Sequence, residues 1–456
     1  MNETIDLLLT HANLITQNDQ RTVIEDGALA VKDGIIVALG PAADLQALFQ
    51  PRKLLDAGGK WAIPGFINTH NHLFQVFMRG LGKDLPFLES MVASISKLMP
   101  FMDEESIYLG ALTGCLEAIR TGTTTMLDFM YANIHPMLSD CVIQAFEDVG
   151  IRGILGRGFT DVEIFPFTNI HSRTWEPIDR ILADVDRLVS RYQDHPRVKI
   201  ILAPSVVWNI TRQGLVATAE YSRLHDMPVT IHLLETDEDD SFCLQTYGQR
   251  TLPFMEKIGL LSPRFLGVHA IHLLPEDFDL IQRYHIKISH NPVSNMILGN
   301  GVCAVPELLR QGIQVGLGTD GAASNDSQSM LETMKTAAIL QKAFTKDPAA
   351  ISAQTVFSMA TDLGAQSIGQ DKKIGSLEIG KCADFVLVDL NKANTTPSYD
   401  LITSLVYSGS ERNIYAVVVD GRLIYQDGHF TSVDEESILQ RTKRKAEELY
   451  YQNGAN

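Results

Sequence analysis

Between residues 60 and 370 of this 456-residue chain, short β-branched runs alternate with segments of helical periodicity. Two parallel strands cannot be joined by a tight turn, so strand-length runs separated by helix-length spacers indicate parallel strands linked by crossover helices. Eight strand candidates fall at 61–68, 123–128, 153–157, 199–205, 229–232, 264–269, 286–290 and 314–318, with helical patterns such as 104–120 and 306–311 between them. Eight such strands over about 310 residues predict an α/β fold whose body is a (β/α)8 TIM-like barrel with insertions, in preference to an open doubly wound sheet.

The two ends of the chain have another texture. Apolar runs at 6–9, 28–31 and 35–39 surround the hairpin signal Lys32-Asp33-Gly34, and similar runs at 383–388, 416–419 and 423–425 surround Asp420-Gly421. The expectation is a discontinuous small β-sandwich domain built from residues 1–58 and 371–432. The barrel then occupies 59–370, and a charged C-terminal helix fills 433–456.

Charge narrows the partners. With 38 basic against 55 acidic residues and a net charge of −17, the surface is wrong for nucleic acid or for an anionic membrane, both of which need basic patches. Five scattered cysteines without a C-x-x-C pair fit free thiols in a reducing compartment. The start lacks a signal-peptide pattern, and no apolar run reaches the ~18 residues of a membrane span, so a cytoplasmic protein is expected.

Chemically able residues collect at the predicted strand ends. The first strand leads into Pro-Gly-Phe-Ile-Asn-Thr-His-Asn-His (64–72), and alternation in extended backbone points His70 and His72 the same way. The fifth strand ends in His232 and Glu235, the sixth in His269, the seventh in His290 and the eighth in Asp320. In a barrel that face carries the active site. Any one of these histidines alone reads as an ordinary core or surface residue. Together, His70, His72, His232 and Asp320 form a nitrogen and oxygen ligand set for one divalent ion, zinc or ferrous iron, with room for a water.

These motifs resemble the amidohydrolase superfamily, in the branch of S-adenosylhomocysteine/methylthioadenosine deaminases and triazine hydrolases. The matching segments are 64–72, Arg79-Gly80, 121–125, 232–236, 269–272, 289–295, 316–325 and the C-terminal Gly-Ser-Leu-Glu-Ile-Gly-Lys-Cys-Ala-Asp (375–384). The resemblance covers nearly the whole chain. Relatives with two metals bridge them through a lysine at the end of the fourth strand; here that strand ends in Ala203-Pro204-Ser205, which implies one metal. It implies further that the ion lowers the pKa of its bound water from ~15.7 towards ~7, giving a hydroxide that attacks the ring. Asp320 would accept that water's proton, Glu235 would protonate the ring nitrogen and then the leaving amine, and His269 would polarise the attacked centre. His290 is assigned to support of the seventh-strand turn with Asn291 and Asn295, and His272 to structure.

The implied substrate is a small-molecule N-heterocycle. Gln75 is read as an amide anchor for the ring, with Arg157 and Trp208 as further pocket residues. The adenosine-type deaminases of this branch hold ribose hydroxyls with an acid where this chain has Met99, and two further family residues are replaced by Ser90 and Ser205. A free purine, pterin, pyrimidine or triazine ring with ammonia as the leaving group is therefore expected. The alternatives are a triazine-type hydrolase releasing chloride or an alkylamine, and an S-adenosylhomocysteine/methylthioadenosine deaminase. The presence of both Glu235 and Asp320 favours amine departure, and the complete ligand set argues against a non-catalytic assembly protein. The resemblance also implies a homodimer or higher homo-oligomer.

Overall fold

All eight expected barrel strands are present. The computed structural model of the chain describes residues 3–135, 137–168 and 171–452. The strands Phe66–Asn71, Thr123–Met130, Arg152–Phe159, Val198–Pro204, Val229–Leu233, Phe265–His269, Lys287–His290 and Val315–Leu317 form one sheet in sequence order. Every neighbouring pair is parallel. Both faces are covered, so the second and third strands are buried along their full length, as the near-continuous apolar runs require. The ring closes between its first and last strands through the Asp320 N–H to the His70 carbonyl (3.0 Å) and Asn68 Nδ2 to Thr319 Oγ1 (2.7 Å).

Ile67, Leu127, Ile154, Ile201 and Leu266, each from a different strand, pack together with Ile368 and Ile374. This apolar plug fills the lower barrel and leaves polar groups to gather at the strand C-termini.

The run 61–68 proves to be two strands. Trp61–Pro64 pairs antiparallel with Phe385–Val388 in the terminal sheet, and only Phe66–Asn71 enters the barrel. Gly65 makes the crossing. A Cβ there would lie 2.0 Å from Thr124 Oγ1, so no side chain fits where the chain changes sheets.

The terminal sheet has nine strands and takes them from both ends of the chain. One of them, Phe49–Asp56, runs parallel to Glu3–Ile15 and was not apparent in the sequence. Pro51, Arg52 and Lys53 interrupt its apolar pattern, which is the signature of a strand at a sheet margin. The two Asp-Gly turns form as expected, with Asp33, Gly34, Asp420 and Gly421 all at φ between 51° and 77°. The C-terminal helix spans Glu435–Gln452 and is tied to the helix Glu104–Arg120 and its cap by Thr442–Thr113 and Lys445–Asp103 contacts; residues 453–456 lie outside the described residues. No helix among the described residues is long and apolar enough to cross a membrane.

Arg152, at the start of the third barrel strand, locks the terminal sheet to the barrel. Its guanidinium donates to both oxygens of Asp384 (2.7 and 3.0 Å) and to Asp420 (3.3 Å), with the Arg152 and Asp384 side chains only 7% and 3% exposed. Removing one partner of a buried pair strands the other charge. Asp384→Ala is therefore expected to lower the unfolding free energy by about 3–5 kcal/mol in a denaturant titration. A loss below about 1 kcal/mol would mean that Asp420 alone neutralises Arg152.

Candidate functional site

His70 and His72 leave the first strand on the same side, and Asn71 between them turns away to Thr319 Oγ1 (2.7 Å) and the Asp320 carbonyl (3.1 Å). The eighth strand can approach this closely because Gly318 has no side chain; a Cβ there would sit 2.9 Å from that of His70. Backbone conformation aims the remaining groups. Leu234, His269, Ala270 and Asp320 all have φ between 47° and 73°, a left-handed region costly for residues with a Cβ and concentrated at functional sites.

The proton positions on two rings follow from their partners. His72 Nδ1 lies 2.8 Å from the Phe129 carbonyl and His232 Nδ1 2.6 Å from the Ser205 carbonyl. A carbonyl only accepts, so both Nδ1 atoms carry the hydrogen and both neutral rings turn an Nε2 lone pair inward. Those two Nε2 atoms are 3.3 Å apart. His70 is fully buried and neither of its ring nitrogens has a hydrogen-bond partner. Asp320 Oδ1 stands 3.4 Å from His70 Nε2 and 3.5 Å from His72 Nε2.

Facing lone pairs repel unless an electrophile sits among them. Ligand atoms about 2.0–2.1 Å from a tetrahedral ion lie about 3.3–3.4 Å from one another, close to the separations found. His70, His72 and Asp320 offer ligand atoms all within 4.8 Å of each other, as do His70, His232 and His269. The donor set thus fits a divalent cation. Burial holds the histidines neutral: His72 is pushed down to about 3, and His70 and His232 are also lowered. Burial alone would raise Asp320, but His70 and His72 outweigh it and keep the carboxyl well below its usual range. Its Oδ1 accepts from the Gly321 N–H (2.7 Å) and its Oδ2 from Ser324 Oγ (2.9 Å).

Glu235 stands beside this cluster. Burial pushes its carboxyl up to about 7 against the opposing pull of His269, so an acid form is present near neutrality. Asn300 Nδ2 donates to Glu235 Oε1 (2.9 Å), and His269 Nε2 is 3.6 Å from Oε2. Asn295 Oδ1, 2.8 Å from His269 Nδ1, orients that ring. His290 is buried with neither ring nitrogen partnered. His272 reaches the Asn300 carbonyl (3.0 Å) and Asp237 (2.9 Å), which makes it a prop behind Asn300.

Above the cluster opens a pocket whose walls include Phe87, Met91, Ile95, Phe159 and Leu298. Met99 and Trp208 both line it, and Trp208 Nε1 donates to Asp239 Oδ1 (3.1 Å). Gln75 lines it as well, yet its amide is engaged at both ends: Nε2 donates to Tyr131 Oη (2.8 Å), and Oε1 accepts from the Ala323 N–H (3.2 Å). It braces the loop carrying Asp320, so the expectation of a free amide anchor is corrected. Arg157 is corrected too. It is absent from the pocket wall, because its guanidinium is turned to Asp184 and Glu176, both at 2.7 Å.

Several residues here escaped the sequence reading. Asn300 sits between two glycines and reads as a turn, and Tyr131 carries no motif. Asp239 hides in the acidic first turn of the helix Asp237–Tyr247, where its spacing does not set it apart from Asp237, Glu238 and Asp240.

A model described as the amidohydrolase family matches residues 61–424 of the chain. The chain is 36% identical over 439 residues to a 5-methylthioadenosine/S-adenosylhomocysteine deaminase of Nitratidesulfovibrio vulgaris strain Miyazaki F, covering 96% of each. It is 34% identical over 438 residues to the protein of the same name in Syntrophobacter fumaroxidans, covering 96% of this chain and 97% of that one. Among solved structures it resembles an adenosine deaminase from Xanthomonas campestris with bound zinc (TM-score 0.90, 27% identity, 99% of this chain and 100% of that chain). It equally resembles the atrazine chlorohydrolase TrzN from Arthrobacter aurescens TC1 complexed with zinc (TM-score 0.90, 25% identity, 96% and 100%).

Proposed function

The chain belongs to the amidohydrolase family, and from that premise we propose that it is a zinc-dependent aminohydrolase releasing ammonia from an amino-substituted N-heteroaromatic ring. It is a hydrolase acting on C–N bonds in cyclic amidines. The observation that carries the finer reading is the pair of inward Nε2 lone pairs 3.3 Å apart, with Asp320 beside them and an acid-form Glu235 at the pocket floor.

In this reading His70, His72, His232 and Asp320 would hold the ion. Such an ion supplies a water that can be deprotonated near neutral pH. Asp320 would accept that proton on a carboxylate whose oxygens take hydrogen bonds from the Gly321 N–H and Ser324 Oγ. Glu235 donates its proton to the ring nitrogen beside the attacked carbon, takes up the proton that the adduct's hydroxyl releases as the carbonyl forms, and passes it to the departing amine, after which the proton held by Asp320 returns to Glu235. His269, steadied by Asn295, faces the attacked centre and polarises it. The apolar walls exclude bulk water and leave a slot for a flat ring.

A second reading is supported by the curated relatives, which are named as deaminases of 5′-methylthioadenosine and S-adenosylhomocysteine. Against it stands Met99, apolar where that activity would place a ribose-binding acid. Likeness to TrzN supports a third, the release of chloride or an alkylamine. One panel separates the three. Zinc-loaded enzyme is expected to release ammonia from at least one aminopurine, pterin, isocytosine or aminotriazine, faster than from 5′-methylthioadenosine or S-adenosylhomocysteine. Chloride or alkylamine from substituted triazines would select the third reading, and no turnover across the panel would sink all of them.

A further inference from the structure

The pocket contains a recognition element that the proposed chemistry leaves unused. Asn209 closes the short turn Val207–Asn209 after the fourth barrel strand and lines the pocket, 4% exposed. Thr160 Oγ1 donates to its backbone carbonyl and fixes the residue in place. Its side-chain amide has no hydrogen-bond partner among the described residues, and Oδ1 is buried. Thr168, on the loop following the third strand, also lines the pocket, its Oγ1 buried and without a partner among the described residues. Buried polar groups without partners are uncommon, and two on one pocket wall point to a partner that arrives with the ligand.

The other uncharged nitrogen-bearing anchors on the wall, outside the histidines, are already committed. Gln75 spends its amide on Tyr131 and Ala323, and Trp208 gives its N–H to Asp239. No lysine or arginine lines the pocket among the described residues. Its carboxylates are Glu235, Asp239 and Asp320, so an anionic substituent would find no counter-charge there and would meet acids instead.

Resting on the reading of this site as a heterocycle aminohydrolase, we propose that Asn209, assisted by Thr168, is its specificity-determining anchor. A primary amide presents one acceptor and two donors, the complement of a cyclic lactam edge with its adjacent C=O and N–H. The substrate class that follows is an uncharged N-heteroaromatic ring bearing such an edge, with carboxylate-bearing ligands disfavoured.

The test uses two pairs differing in that edge, guanine with 2-aminopurine and isocytosine with 2-aminopyrimidine. Binding is measured by calorimetry on the zinc-loaded Glu235→Gln protein, with and without Asn209→Leu. The lactam member of each pair is expected to bind about tenfold more tightly, and Asn209→Leu to shrink that preference to about twofold with the melting temperature kept. Should Asn209→Leu fail to fold, Thr168→Val, which removes a hydroxyl at nearly constant shape, decides the question by a severalfold loss of preference. A preference that survives the substitution, the lack of any preference, or the lack of binding by all four compounds overturns the anchor. S-adenosylhomocysteine should bind at least about tenfold more weakly than 5′-methylthioadenosine, and the reverse order overturns the exclusion of carboxylates. Ammonia release by the unmodified enzyme is scored separately. Selective binding without any ammonia supports the anchor while sinking the reaction assigned to the site.

Discussion

Asp320→Asn is expected to lower ammonia release by about a thousandfold or more, because one substitution removes both a ligand charge and the base that receives the water's proton. The side chain sits at the centre of the cluster, its Oδ1 3.4 and 3.5 Å from the Nε2 atoms of His70 and His72. An asparagine keeps the shape but must place an NH2 group somewhere. Turned with its NH2 towards Ser324, whose hydroxyl then accepts and gives its own hydrogen to the Gly321 carbonyl (3.1 Å), the amide keeps its oxygen on the Gly321 N–H, so what is lost is the charge and the basicity rather than the local hydrogen bonding. The backbone need not change, since the bond from the Asp320 N–H to the His70 carbonyl stays available to close the barrel. Metal analysis of the purified variant should therefore show a reduced zinc content in a protein that still folds. Full zinc occupancy with activity within about tenfold of wild type would remove Asp320 from both roles.

Much of this site was legible because the barrel imposes a simple rule. Residues ending parallel strands meet on one rim, so a histidine or acid at the end of a predicted strand has a predictable place. His70, His72, His232, Glu235, His269 and Asp320 obey it and converge. The rule is silent on where a long side chain goes after leaving the strand. Arg157 sits at a strand end yet turns to Asp184 and Glu176, because a buried guanidinium follows its counter-charges. Gln75 follows His72 by three residues, yet its amide is drawn to Tyr131 and to the eighth-strand loop. None of these partners could be inferred from spacing, since all four come from other segments of the chain. Asn209 shows the converse: nothing in Val-Val-Trp-Asn marks it, and only the lack of partners in the folded chain singles it out. The split at Gly65 was hidden for a similar reason. An apolar run does not reveal that its two halves pair with different sheets, and only the contact with Thr124 explains the glycine.

Glu235→Gln separates proton delivery from the metal centre. The side chain lies outside the ligand set, so zinc content should match the wild type while kcat falls by about 10²–10⁴-fold and KM changes little. Glutamine is close in shape and its carbonyl can still accept from Asn300, so the pocket should keep its form. The pH profile supplies the sharper evidence. Burial holds the Glu235 carboxyl up to about 7, and a general acid works only while protonated. The wild-type rate is therefore expected to fall as the pH rises through about 7, since the proton that the ring nitrogen needs is lost to solvent. Glutamine does not titrate, so the residual rate of the variant should be flat across the same window. A variant that keeps the wild-type decline would place the titrating donor elsewhere, with His269, 3.6 Å from Glu235, the first group to test. A variant that keeps the wild-type rate would mean that solvent, reaching the ring through the pocket mouth, carries the proton without any help from this carboxyl.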